Sequence, residues 1–264
     1  MPAHPPVRPG FAYNDPEFLD SEEARPLRIM AEYMGPMRGF RNADVCDTIV
    51  FFGSARIAAD GPLGRFYDEA RQLSGLITKW AASLPSNSHR YVICSGGGGG
   101  IMEAANRGAT EAGGRTIGLN ISLPHEQRPN PYITPQLSFE FHYFFMRKLW
   151  FAHLARALVV FPGGFGTLDE LTEILTLSQT GKLEQRIPVV LYGTQYWKEI
   201  INFDALVRYG MIGAADLELF KFADDPQTAL RLLQEGLQPQ VLAEPEKPAF
   251  AHSRSERPGR GSQR

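Results

Sequence analysis

Cysteine is scarce in this 264-residue chain, and the patterns that would mark a disulfide-bonded or metal-binding protein are missing. The two cysteines, Cys46 and Cys94, are too few for a disulfide framework and match no paired-ligand spacing, so we expect reduced thiols. His142 and His153 have no carboxylate or cysteine at ligand spacing. No metal site is therefore predicted.

Long apolar runs and an excess of charge of one sign are also absent. No stretch approaches the roughly 20 apolar residues that a membrane-spanning helix needs. The Pro-rich start, residues 1–26, lacks the apolar core of a signal peptide. A formal net charge of −2 gives no sign of a nucleic-acid-binding surface. We expect a cytoplasmic protein with neither membrane nor nucleic acid as partner.

Short apolar segments such as "TIVFF", "YVICS", "ALVVF" and "IPVVLY" alternate with stretches of helical spacing. This alternation predicts right-handed crossovers between parallel strands. We predict an α/β, Rossmann-like, doubly wound and mostly parallel sheet of about seven strands with helices on both faces. It would form a single domain over residues 27–243, followed by a disordered tail at residues 244–264, where Pro, Gly, Ser and Arg dominate.

The segment "LRIMAEYMGPMRGF" has apolar residues at helical spacing, namely Leu27, Met30, Ala31 and Met34. It predicts a short helix that packs on the main body or on a partner subunit.

Three glycine-bearing turns follow predicted strands, at Gly53, at residues 96–100 and at residues 163–166. Ligands of parallel sheets bind beyond the carboxyl ends of the strands, where these turns lie. A Gly-rich turn that leads into a helix binds anions through unpaired amides and the helix dipole, which predicts a phosphate. The turns lack the acidic ribose partner of NAD(P) sites and the lysine of ATP-binding P-loops, so neither function is indicated.

Thr167 and Glu170 allow two interpretations. T-x-x-E at a helix start is the pattern of a capping box, in which the glutamate binds the Thr167 amide. A carboxylate used in this way cannot freely face a substrate. The spacing alone leaves both roles open, with the helix expected to begin at Thr167.

The segment "PGGFGTLDE" matches the P-G-G-x-G-T-x-x-E signature of the Lonely Guy (LOG) family. These proteins are cytokinin-activating nucleotide phosphoribohydrolases, formerly labelled lysine decarboxylases. "FFMRKLWF" resembles the second signature of that family, an Arg-Lys pair ahead of a strand. "FGSAR", "SGGGGGIMEAANRGATEAGG" and "IGLNISLPHEQRPNPYI" are similar to its longer, bacterial branch. The resemblance runs from about Thr48 to Glu235.

The resemblance implies hydrolysis of the N-glycosidic bond of a nucleoside 5′-monophosphate, AMP or an N6-modified AMP, to free base and ribose 5-phosphate. It implies no cofactor, and it implies a homo-oligomer, a dimer or an assembly of dimers. Glu170 would stabilise the oxocarbenium-like sugar and orient or deprotonate water. Arg147, which stays protonated, would fix Glu170, the ribose or the departing base.

The substrate contacts implied by the resemblance lie on one edge of the sheet: Gly53, Ser54, Gly97, Gly98, Gly99, Gly100, Glu103, Arg147, Lys148, Gly163, Gly164, Gly166, Thr167 and Glu170. Arg56 is expected beside them. A role for Ser54 as a plain turn residue explains the sequence nearly as well. Gly99 stands where relatives often have proline, which predicts a more flexible turn.

Residues 122–136 predict a long loop in which Glu126 and Arg128 either close over substrate or face solvent.

Two other functions are weighed against hydrolysis. The old decarboxylase label requires pyridoxal phosphate on a lysine, yet Lys148 and Lys182 are the only lysines near the motifs and no pyridinium partner is evident. A module that senses a nucleoside monophosphate without turnover is the stronger alternative. The identity of the base stays open.

Overall fold

The computed structural model describes residues 10–85, 89–123, 128–183 and 187–241. The predicted tail and Glu126 lie outside the described residues. None of the helices within these four ranges is long and apolar enough to cross a bilayer.

A seven-stranded, all-parallel sheet forms the centre of the molecule, with strand order β4-β3-β2-β1-β5-β6-β7. The central strands are buried on both faces, which explains their near-continuous Val, Ile, Leu and Phe sequences. The strands are β1 Thr48–Phe52, β2 Val92–Ser95, β3 Thr116–Ile121, β4 Ser138–Phe141, β5 Ala155–Val160, β6 Val189–Tyr192 and β7 Phe220–Ala223. The predicted α/β fold class is confirmed.

Helices cover both faces of the sheet. They are α1 Pro16–Asp20, α2 Arg25–Asn42, α3 Gly64–Ser83, α4 Ile101–Glu111, α5 Phe144–Leu154, α6 Phe165–Gln179, α7 Thr194–Ile200, α8 Phe203–Arg208 and α9 Pro226–Val241. Successive side chains of β1 enter different cores: Val50 and Phe52 pack with α5 and α6, whereas Ile49 and Phe51 pack with α3, α4 and α9. The sheet is therefore doubly wound.

The predicted N-terminal helix exists as α2, but it is longer than expected and uses another face. Its predicted apolar stripe, Leu27, Met30, Ala31 and Met34, is exposed. The side chains that face the core are Ile29, Tyr33, Met37 and Phe40. The helix therefore packs on the main body, one of the two predicted positions, but through a different apolar stripe from the one that the spacing indicated. Its packing on a partner subunit stays a prediction.

Helix α2 is fixed to α5 through Glu32. Pro36 has no N–H to donate to the Glu32 carbonyl four residues earlier, and Trp150 Nε1 of α5 donates to that carbonyl instead, at 3.1 Å. The Glu32 carboxylate also accepts from the His142 and Tyr143 amides at 2.7 and 3.2 Å, where α5 begins. Negative charge at a helix start is favourable, so this contact orients α5.

Three boundaries differ from the sequence-based predictions. The helix after β5 begins at Phe165 rather than Thr167, because Gly164 is its N-cap. The spacing of "QYWKEIINFDALVRYG" predicts one helix, but the segment forms two, because Asn202 starts α8 by accepting from the Ala205 amide at 2.9 Å. The apolar run "LELFKF" predicts a strand, but its first part belongs to a 3-10 helix, Ala214–Leu219.

Candidate active site

The three glycine-bearing turns meet at the carboxyl edge of the sheet. Strand β1 lies between β2 and β5, so the chain winds outward in both directions from this point. The Ser54 amide after β1 donates to the Pro162 carbonyl after β5 at 3.0 Å, and the Ile101 amide after β2 donates to the Ser54 carbonyl at 3.1 Å. Such a topological switch point is where open α/β sheets form a ligand crevice.

Arg147 of α5 and Glu170 of α6 form an ion pair beside this crevice. Arg147 Nη1 donates to Glu170 Oε1 at 3.1 Å, and Arg147 Nε donates to the Leu119 carbonyl at the end of β3 at 2.7 Å. The side chains are only 11% and 13% exposed. The guanidinium also lies over the Phe151 ring, 4.9 Å from its centroid. Both groups are therefore held in place while a small part of each remains accessible.

Gly96 allows the guanidinium to occupy this position. A β-carbon on Gly96 would lie 2.4 Å from Arg147 Nη2 and 2.7 Å from Met102 Sδ. Any side chain at position 96 would therefore displace Arg147. Sequence reasoning placed the turn correctly but did not single out this glycine.

Burial raises the pKa of Glu170 to about 7, because desolvation of the carboxylate outweighs the opposing effect of Arg147. The neighbouring charge of Asp169 raises that pKa further. Burial also lowers the pKa of Arg147, although a guanidinium remains protonated at any physiological pH. Glu170 can thus exchange a proton near neutrality, which a general acid or base must do.

The start of α6 presents backbone amides next to the ion pair. Gly164, Phe165 and Gly166 are exposed, and the first amides of any helix lack partners within the helix. Thr167 lies in this first turn and is buried, with Oγ1 packed against Gly163. The capping-box interpretation is wrong, because the helix begins before Thr167 and Arg147 binds the carboxylate of Glu170.

Other predicted site residues are engaged with protein groups. Ser54 Oγ accepts from the Arg56 amide at 3.0 Å, as a plain turn residue would. Glu103 accepts from the Tyr67 hydroxyl of α3 at 2.7 Å. Lys148 contacts Asp169 and Glu173 of α6 at 2.6 and 3.4 Å. Contacts of Ser54, Glu103 and Lys148 with a substrate stay predictions. Gly53 and the turn from Gly97 to Gly100 follow β1 and β2 at the carboxyl edge of the sheet, and Arg128 is exposed. Their contacts with a substrate also stay predictions.

Sequence reasoning missed three residues that support the turns. The Tyr196 hydroxyl donates to the Gly163 carbonyl at 2.6 Å. Asn120 Oδ1 lies against Gly97: a β-carbon added to Gly97 would be 2.1 Å from this oxygen. Asn130 donates to the carbonyls of Gly97 and Gly98. The only available signal was the position of Asn120 at the end of a predicted strand.

Cys46 and Cys94 are buried free thiols, as predicted. Within the four described ranges, no group of three or more His, Cys, Asp or Glu side chains is arranged to hold a metal ion.

The fold and this edge define a Rossmann-like α/β protein whose glycine-bearing turns meet at its topological switch point. A family model described as "Possible lysine decarboxylase" matches residues 102–233, half of the chain. The protein belongs to this family of LOG and lysine decarboxylase-like proteins, and the resemblance seen in the sequence is confirmed.

The relatives whose names state an activity have low sequence identity to this chain. The chain is 29% identical over 146 residues to a probable cytokinin riboside 5′-monophosphate phosphoribohydrolase of Oryza sativa subsp. japonica, covering 54% of this chain and 62% of that protein. It is 27% identical over 155 residues to a cytokinin riboside 5′-monophosphate phosphoribohydrolase of Rhodococcoides fascians, covering 51% of this chain and 76% of that protein. The chain spans 62–66% of the length of the first plant relatives it matches.

A solved structure shares the fold. The X-ray structure of the structural-genomics target TM1055 aligns with a TM-score of 0.51 at 22% identity, over 72% of this chain and 99% of that chain.

Substitution by alanine at positions 163 and 166 should have different effects on the free energy of unfolding. A β-carbon on Gly163 would lie 2.1 Å from Thr167 Oγ1, whereas none of the described surrounding atoms comes within 4 Å of one on Gly166. We expect Gly163→Ala to lower the free energy of unfolding by about 1–3 kcal/mol through overpacking. Gly166→Ala, within α6, should be neutral or stabilising by up to about 1 kcal/mol. Urea unfolding measures both, and equal effects would contradict the packing described.

Proposed function

We propose that the protein hydrolyses the N-glycosidic bond of a nucleoside 5′-monophosphate of the AMP type, releasing the base and ribose 5-phosphate. The observation that carries this proposal is the mostly buried pair of Arg147 and Glu170, because Glu170 lies on α6, the helix whose first amides can bind an anion. The names of the relatives, which specify riboside 5′-monophosphates, support the same substrate class. The proposal covers adenine and N6-modified adenines as the released base.

The 5′-phosphate is assigned to the start of α6. Amides from Gly164 to Thr167 and the Thr167 hydroxyl are the donors, and the helix dipole favours the negative charge. Glu170 lies five residues after the first residue of α6. This separation is about 7 Å along a helix axis, comparable to the length of a ribose 5-phosphate. Phosphate binding would therefore bring C1′ of the ribose toward Glu170.

The reaction needs a negatively charged group that stabilises positive charge on the sugar. As the C1′–N bond breaks, its electron pair leaves with the base and C1′ becomes oxocarbenium-like. The Glu170 carboxylate stabilises that charge and accepts a proton from the water that bonds to C1′. The departing base takes up a proton from solvent water, and Glu170 afterwards releases to solvent the proton it accepted, so the hydrolysis balances. Arg147 acts as a positioning group for Glu170, because a guanidinium cannot serve as a base.

Glu170→Gln tests the carboxylate directly. It preserves the size of the side chain and an oxygen for Arg147, but it removes the proton acceptor. We expect base release from AMP to fall about 100- to 10,000-fold while AMP still binds. Adenosine, which lacks the phosphate, should be a poor substrate of the unmodified protein. Chromatography of the free base and calorimetric titration of AMP measure the two quantities.

Glu173→Gln is the matched control, since Glu173 lies on the same helix and forms its ion pair with Lys148 rather than with Arg147. It should retain most of the activity. Binding of AMP without base release by the unmodified protein would contradict the hydrolase proposal and favour the nucleotide-sensing module.

The pH dependence follows from the raised pKa of Glu170. If the carboxylate is the active form, kcat/KM should rise with pH through about 7 and level off above it. The substrate phosphate also loses a proton, near pH 6. Asp169→Asn separates the two groups, because Asp169 raises the pKa of Glu170. This variant should move the inflection to lower pH, and an unchanged inflection would contradict the assignment to Glu170.

A further inference from the structure

The turn between β2 and α4 consists of five consecutive glycines, residues 96–100. Glycine loses more conformational freedom on ordering than any other residue. A ligand site built on such a turn needs contacts that hold its backbone in one conformation. Those contacts come from outside the turn.

Asn130, from the connection between β3 and β4, supplies them. Its side chain is buried, and its Nδ2 lies 3.1 Å from the Gly97 carbonyl, 3.0 Å from the Gly98 carbonyl and 2.9 Å from Asn106 Oδ1. Its backbone amide donates to the Gly97 carbonyl at 2.8 Å. Its Oδ1 accepts from the Tyr132 amide at 3.2 Å. Three acceptors around Nδ2 and one donor at Oδ1 fix the orientation of the side-chain amide.

Asn106 extends this network into the core. Ser95 Oγ donates to Asn106 Oδ1 at 2.7 Å, and Asn106 Nδ2 donates to the Ile117 carbonyl at 3.1 Å and to Thr116. The Gly97 amide donates to Ser95 Oγ at 3.1 Å. The glycine turn is thus bound on its amide side by Ser95 and on its carbonyl side by Asn130. Both contacts are buried, where an unmet hydrogen bond is costly.

We propose that Asn130 is a positioning residue for the nucleotide site: it holds the glycine turn in the conformation that binds substrate. The turn borders the catalytic pair, since Gly96 packs against Arg147 Nη2. Movement of the turn would therefore disturb the substrate contacts and the space around Arg147 together. The kinetic part of this inference rests on the proposed hydrolase function, whereas the ordering of the turn does not.

Gly99 provides a way to restore order without Asn130. Gly97 and Gly100 have φ of +76° and +61°, and a β-carbon on either would collide with neighbouring atoms. The φ of Gly99 lies outside the left-handed region. A β-carbon at this position would have one described atom within 4 Å, the Ala55 carbonyl oxygen at 3.7 Å. Alanine at position 99 fits the free protein and reduces the conformational freedom of the turn.

The experiment compares Asn130→Ala and Asn130→Asp with Gln136→Ala, an exposed amide side chain on the same connection. Asn130→Asp is nearly isosteric, but it directs a carboxylate oxygen toward three acceptors. Glycine-selective ¹⁵N relaxation measures the order parameters of the turn amides, and steady-state kinetics with AMP gives KM and kcat separately. A thermal unfolding curve for each variant reports global stability.

We expect both Asn130 variants to lower the order parameters of the turn from about 0.85 to below about 0.6, with other glycines unchanged. KM should rise about tenfold, the scale of one lost hydrogen bond, with a smaller change in kcat. Gln136→Ala should change neither quantity. Adding Gly99→Ala to Asn130→Ala should recover the order of the turn amides, which a general loss of stability would not allow.

Unchanged order parameters in both Asn130 variants would overturn the proposal, as would lower order without any change in KM. If the unmodified protein releases no base, only the proposed hydrolase function is contradicted. The effect of the Asn130 variants is then measured on the dissociation constant of AMP instead of on KM. Asn130→Ser keeps one donor and replaces any variant that does not fold. The order parameters of the turn in Asn130→Ser should lie between those of the unmodified protein and those of a variant whose side chain has no donor. Order parameters equal to those of the unmodified protein would count against the proposal.

Discussion

The ion pair between Arg147 and Glu170 is the interaction on which the arrangement of the candidate site depends. Two charged groups shielded from water lose hydration, and their mutual attraction seldom makes such a pair a strong source of stability. This pair is also supported from outside, by the Leu119 carbonyl and by the space at Gly96. Its main consequence is chemical: burial beside a fixed cation leaves Glu170 with a pKa near neutrality. The pair thus links the packing of two helices to the proposed proton transfer.

Several separate parts of the chain determine where the two charges lie. Helix α6 carries Glu170 and starts immediately after β5, while α5 carries Arg147 and is oriented by the Glu32 carboxylate of α2. Glu32 is distant from the site, but its contacts hold the start of α5. Loss of these contacts would shift α5 and, with it, Arg147. The N-terminal helix is therefore part of the support of the site, although it contributes no described side chain to the crevice edge.

Much of the fold could be predicted from the sequence, because its strands are buried on both faces and read as short apolar runs between glycine turns. The start of α6 could not, since Thr167 and Glu170 have the spacing of a capping box and the actual N-cap, Gly164, has no side chain to mark it. The face of α2 was also misjudged. Leu27, Met30 and Met34 have the same periodicity as the stripe that packs on the core, and periodicity alone does not choose between two stripes.

The glycine turns were recognised from local sequence, but the side chains that hold them were not. Asn130 and Tyr196 reach their glycine carbonyls from positions 33 residues away along the chain. Polar residues in a connecting segment carry no local sign of such long-range contacts. The packing of the crossovers brings these residues to the turns. A sequence pattern therefore identifies a Gly-rich turn without identifying the side chains that hold it.

A crystal structure with ribose 5-phosphate or AMP bound tests the central assignment most directly. We predict a phosphate in contact with the amides from Gly164 to Thr167, and C1′ of the ribose facing the Glu170 carboxylate. A phosphate bound elsewhere on the sheet edge, or a ribose with C1′ turned away from Glu170, would contradict this assignment.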